Sequence, residues 1–292
     1  MKYIYTILAF VIIFISCNTN KKRNDNDDRM VVTVSILPQK TFVQKISGDD
    51  FDIHLLIPPG ASPATYTLLP SQISGLGKSK VWFRIGYIGF EHSWKEKIEQ
   101  TNAAMEVVDL SEGLDLIKSD HSHGSEREHL AGVDPHIWLS PSLVKQFSQR
   151  IADVLIKLNP EREAIYRENY SNFINEIEQT DEYIKNALSD YYGRQFIIFH
   201  PSLSYFAREY GLIQHSLESG GKEPSPQHMA EVMGLAKREN IRVIYIQSEF
   251  DRENARVFAE ETNGKIIEVS PLDPAWAENL MNIANVLIEN FK

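Results

Sequence analysis

The sequence predicts an α/β protein of two parallel-sheet lobes joined by one long rigid backbone helix. Three observations carry that expectation. Short β-branched runs alternate with longer amphipathic ones; the alternation comes in two separate sets; and between them lies a stretch from Pro160 to about Ser189 with no glycine and no second proline.

The first set follows a polar leader and comprises VVTVSI (31–36), DIHLLI (52–57), KVWFRIG (80–86) and EVVDL (106–110). Ser140-Pro141 reads as a helix start, serine as N-cap and proline in the first turn, and Asn159-Pro160 restarts a second helix. Along that helix Ile165, Tyr166, Tyr170, Phe173, Ile174, Ile177, Tyr183, Ile184 and Leu188 recur at helical spacing. Roughly 29 residues make a rod of about 43 Å, which spans two lobes and holds their separation nearly fixed. The second set is FIIFH from 196, LIQHSLE from 212, IRVIYIQ from 241 and KIIEVS from 265.

The amino terminus has its own logic. Ile4 to Ile15 is an apolar run as long as a signal-peptide core and short for a membrane span. It ends at Cys17, the only cysteine, where a bacterial lipoprotein signal would be cleaved and acylated. Residues 18–30 are polar and mixed in charge, which suits a disordered tether. The expected organisation is therefore a signal over 1–16, a tether over 17–30, one lobe over 31–159, the linking helix over 160–189 and a second lobe over 190–292. With Cys17 lipidated, the protein is extracytoplasmic and membrane-anchored. A net charge of −10 argues against nucleic acid and is compatible with a cation.

Among nine histidines, three contexts stand out. His136, in Asp134-Pro135-His136-Ile137-Trp138, sits between a rigid proline and a tryptophan expected to be buried, which is preorganisation of the kind a metal ligand needs. Spacing alone does not separate that role from a hydrogen-bonded loop histidine. His200 follows the apolar strand FIIF, at the carboxyl edge where open parallel sheets bind ligands; capping the next helix is the competing role. His121, His123 and His129 lie in SDHSHGSEREHLAGVD (119–134), either an accessory metal loop or a solvated one. Gly77-Lys78-Ser79 ends like a phosphate-binding loop, but Gln72 stands where its first glycine belongs, and HExxH, GxSxG, CxxC and GxGxxG motifs are missing from the sequence.

PPGASPATY (58–66), GYIGFEHSW (86–94), DPHIWLSP (134–141), FIIFHPSLSYFAREYGL (196–212), EPSPQHM (223–229) and KIIEVSPLDPAWAENL (265–280) together resemble the zinc and manganese ABC-transporter solute-binding family. The resemblance implies one metal ion in the cleft between the lobes. It carries two ligands over, His136 and His200, the histidine at 200 favouring Zn2+ over Mn2+. The family's other two positions hold Ala64 and Ser270 here, and alanine has no donor atom. Asp273 is the expected substitute, followed by Glu91, His92 and the loop histidines. Arg84, at a strand end aimed toward the cleft, would repel a cation unless a carboxylate such as Glu91 pairs with it. The implied protein is a monomeric carrier without catalytic activity that delivers Zn2+, or alternatively Mn2+, to an ABC permease. The changes at 64 and 270 leave open a cleft for a metal complex or another solute, and a surface adhesion role is a further reading.

Overall fold

The architecture is taken from a computed structural model, which describes residues 29–118, 132–218 and 224–291. The leader with Cys17 and the histidines at 121, 123 and 129 lie outside the described residues.

All eight β-branched runs form strands. The first lobe runs β1 (Val31–Val34), α1 (Leu37–Ser47), β2 (Asp52–Leu55), α2 (Pro70–Leu76), β3 (Ser79–Arg84), α3 (Gly89–Thr101) and β4 (Glu106–Asp109). The second runs β5 (Gln195–Ile198), α6 (Ser204–Tyr210), β6 (Ile213–Ser216), α7 (Pro226–Arg238), β7 (Val243–Ile246), α8 (Glu253–Glu261) and β8 (Lys265–Glu268). Each lobe holds a four-stranded parallel sheet, ordered β2-β1-β3-β4 and β6-β5-β7-β8. The chain therefore reverses its direction of travel across the sheet between β1 and β3, and again between β5 and β7. Crevices at the carboxyl ends of such strand pairs are where open α/β sheets take ligands.

Two helices connect the sheets: α4 (Pro141–Leu158) and α5 (Glu163–Leu188). The Ser140 hydroxyl caps α4 by accepting from the Leu143 N–H, as the Ser-Pro pair implies. A single 3-10 turn, Pro160–Arg162, leads into α5. At about 1.5 Å per residue, the 26 residues of α5 make a rod of about 39 Å. It buries Tyr166, Phe173, Ile177, Thr180, Ile184 and Leu188, one narrow stripe. Ile165 and Tyr183 fall off that stripe and are 40% and 43% exposed, because neighbouring positions on a helix point about 100° apart.

The last helix, α9 (Trp276–Phe291), packs on α5. Its Trp276 ring meets Phe42 of α1 edge-on at 5.5 Å and Phe173 of α5 at 6.4 Å. One hydrophobic core thus runs from β1 through α4 and α5 into α9 and the proximal face of the second sheet, while a smaller one lies beneath α7 and α8. Chain order assigns α9 to the second lobe, yet its buried face also serves the first.

Candidate metal centre

Between the lobes lies a cleft of about 360 Å³ into which both His136 and His200 open. Asp134 and Pro135 deliver the first. The Asp134 carboxylate accepts from the His136 backbone N–H at 2.9 Å and pairs with His136 Nδ1 at 2.7 Å. Burial disfavours charge on Asp134, but the adjacent His136 outweighs it through charge and hydrogen bonding, and the carboxyl is held below its ordinary range. Trp138, 2% exposed, stands 5.1 Å from the His136 ring, and its indole N–H donates to the Pro271 carbonyl across the lobes at 2.8 Å.

His200 leaves the end of β5. Its Nδ1 pairs with Glu218 Oε2 at 2.6 Å. β5 and β6 pair with Ile198 opposite Ser216, so continuing that register sets His200 beside Glu218. Phe250 stacks on the imidazole, with centroids 4.9 Å apart and planes 21° from parallel.

The two rings meet edge to face, and their Nε2 atoms are 3.2 Å apart. With the Nδ1–H of each neutral ring donating to its carboxylate, both Nε2 atoms present lone pairs, and two facing lone pairs repel unless a cation stands between them. Tetrahedral zinc with bonds of about 2.0–2.1 Å to nitrogen holds two ligand nitrogens about 3.3 Å apart. The observed separation therefore suits one edge of such a tetrahedron. Carboxylate on the outer nitrogen is also how protein zinc sites fix imidazole orientation and raise its basicity. Among the described residues, no third His, Cys, Asp or Glu is gathered with these two around one point.

The other expected ligands lie elsewhere. Asp273 lines a second, smaller pocket of about 170 Å³ rather than the histidine cleft, and its carboxylate caps the Ala275 N–H at 2.8 Å. Glu91 is fully buried, accepting from the Ile85 and Gly86 N–H groups at 2.8 and 2.6 Å. Gly86 makes that turn at φ +117°, where a Cβ would strike the Ser111 side chain. Burial pushes the Glu91 carboxyl above its ordinary value against the pull of those donors and Arg84. His92, next to it, is exposed on α3. Arg84 turns back on itself, donating to the Gly86 carbonyl with Glu91 and Asp109 at 3.8 and 3.6 Å, and is not a cleft residue. Ala64 does line the histidine cleft, whereas Ser270 borders the smaller pocket.

Three cleft features escaped the sequence reading: the carboxylates of Asp134 and Glu218 behind the imidazoles, and Glu249, which lines both pockets. The aspartate was discoverable, two residues before His136, and the partner of His200 follows from strand register.

The model of the family described as "Zinc-uptake complex component A periplasmic" matches residues 32–291. This chain belongs to that family. It is similar to the high-affinity zinc uptake system protein ZnuA of Bacillus subtilis, at 25% identity over 92% of this chain and 88% of that one. The zinc-binding lipoprotein AdcA of Streptococcus pneumoniae is 24% identical over the full chain, which spans only 60% of AdcA. Among solved structures, a crystal structure of ZnuA superposes with a TM-score of 0.83 at 34% identity, covering 91% of this chain and all of the other. The two-lobed fold with its long linking helix is thus the family's fold, and the family is one of solute-binding transport components.

Proposed function

We propose that the protein is the extracytoplasmic zinc-binding component of an ABC importer, a carrier that performs no catalysis itself. The observation that carries this reading is the pair of carboxylate-backed imidazoles with Nε2 atoms 3.2 Å apart in an interlobe cleft. Membership of a zinc-uptake family and similarity to proteins named for zinc uptake support it. Zinc enters as cargo: the rigid Asp134–His136 and Glu218–His200 pairs replace part of its water shell, and a site with few protein donors lets the ion pass on to a permease. Imidazole ligands suit zinc better than manganese. A lipid anchor at Cys17 would keep the carrier at the membrane, a reading supported by the sequence around that cysteine and by the likeness to a zinc-binding lipoprotein. We further propose that it acts as a monomer, and that the histidines at 121, 123 and 129 assist capture, since Ile117 and Val133 on either side of that segment line the cleft.

Isothermal titration of zinc into the metal-stripped protein tests the reading. One ion per chain is expected, with His136→Ala and His200→Ala each weakening it by more than about tenfold, or about 1.4 kcal/mol. Undiminished binding in both variants would sink the assignment.

A further inference from the structure

Two imidazoles satisfy half of a zinc tetrahedron and none of the ion's charge. The cleft that holds them is otherwise lined mainly by apolar groups such as Ile88, Trp138, Phe250 and Leu272, where an uncompensated double charge is costly. Ala64 and Ser270 offer no anion. Among the described residues, no negatively charged donor is gathered with the two imidazoles around one point.

Building on the carrier reading above, we infer that Glu249 is such a donor: its carboxylate turns into the cleft and binds the ion as the third protein ligand. Four observations converge on it. Glu249 follows β7, and β7 pairs with β5 on the side where the second sheet reverses its strand order, so Glu249 and His200 issue from the two strands that flank the crevice. The segment around Glu249 is fastened to His200 at both ends. Gln247 Nε2 donates to the His200 carbonyl at 3.0 Å, and Phe250 stacks on the His200 ring.

The remaining two concern its freedom to act. Glu249 lines the histidine cleft, and among the described residues its carboxylate has no hydrogen bond or ion pair. Among the described residues the rival acids are engaged elsewhere: Asp134 and Glu218 on the imidazoles, Glu91 on backbone N–H groups, Asp273 in the smaller pocket. Glu249 also borders that smaller pocket, so it stands in the wall between the two. Two histidines, one glutamate and a water form a known four-coordinate zinc set. That set leaves one exchangeable position, which fits an ion that must be handed on.

The test is zinc titration of the metal-stripped protein and its E249Q, E249A and D273N variants, with thermal melting of each zinc-free form. Cobalt substitution adds a readout of coordination, because four-coordinate Co2+ absorbs visible light far more strongly than six-coordinate Co2+. We expect E249Q and E249A to weaken zinc by at least about tenfold, to lower the cobalt absorbance and to leave the zinc-free melting temperature unchanged, with D273N like the unmodified protein. If E249Q binds zinc and colours with cobalt like the unmodified protein while H136A and H200A do not, the carrier stands and the Glu249 assignment falls. Loss of zinc in D273N but not in E249Q overturns it equally. Undiminished binding in all five single variants removes the two-histidine site itself.

Discussion

His136 and His200 are separated from the other described histidines by what stands behind them. Each has a largely buried carboxylate on Nδ1 and an aromatic ring against its face, so neither imidazole can rotate without losing both contacts. Removing the outer carboxylate should loosen the ligand without deleting it. D134N and E218Q are expected to weaken zinc by about 10–100-fold in competition with a chromophoric chelator; affinities equal to the unmodified protein would mean the rings are held by packing alone. Ala64 lines the same cleft and lacks only a donor. A64H should tighten zinc by on the order of tenfold or more in the same assay, and no gain would place residue 64 out of the ion's reach. The histidine pair was legible in the sequence because proline, tryptophan and a strand end frame it locally. Asp273 and Glu91 were not separable from cleft residues there, since nothing in a linear sequence says that one carboxylate is already caught by Ala275 N–H and the other by the turn at Gly86.

At the scale of elements, the helix α4 start positions His136, whose segment runs directly into it. Ser140 caps that helix and also donates to Glu209 of α6, whose other carboxylate oxygen accepts the Ser142 N–H at 3.1 Å, so the second lobe supplies an anion to the α4 amino terminus. S140A should cost about 1 kcal/mol in urea unfolding; an unchanged midpoint would show that Glu209 alone suffices. The strands were legible because buried parallel strands are continuous β-branched runs such as VIYI of β7, buried at every position. The α4 start was legible because Ser-Pro has a local mechanism. Glu218 and Glu249 were opaque for a matching reason: their nearness to His200 depends on which strands lie beside β5, a pairing that local periodicity does not encode.

Across the whole molecule, the lobes are fastened close to the cleft. The indole N–H of Trp138 reaches the Pro271 carbonyl and that of Trp276 the Trp138 carbonyl, Thr41 donates to the Pro274 carbonyl, and the Tyr205 hydroxyl donates to the Asp134 carbonyl. With a continuous core beneath them and α5 as a spine, wide hinge closure would tear these contacts, and zinc should leave the small-angle scattering profile nearly unchanged. Stability carries a separate pH signature. Burial lowers the His54 pKa against the pull of Asp52, and burial lowers that of His215 against Glu239. An unfolded histidine takes a proton near pH 6.5, so below that value the unfolded chain binds more protons and stability is lost as pH falls toward the lowered folded values. Between about pH 7 and pH 5 the zinc-free protein should therefore lose more stability than its H54Q variant, and parallel melting curves would contradict this.

Whether one zinc ion sits between the lobes on His136 and His200 is decided by anomalous diffraction at the zinc edge from crystals of the zinc-loaded protein. A single strong peak is expected about 2.0–2.1 Å from both Nε2 atoms. A peak bonded to neither imidazole would contradict it.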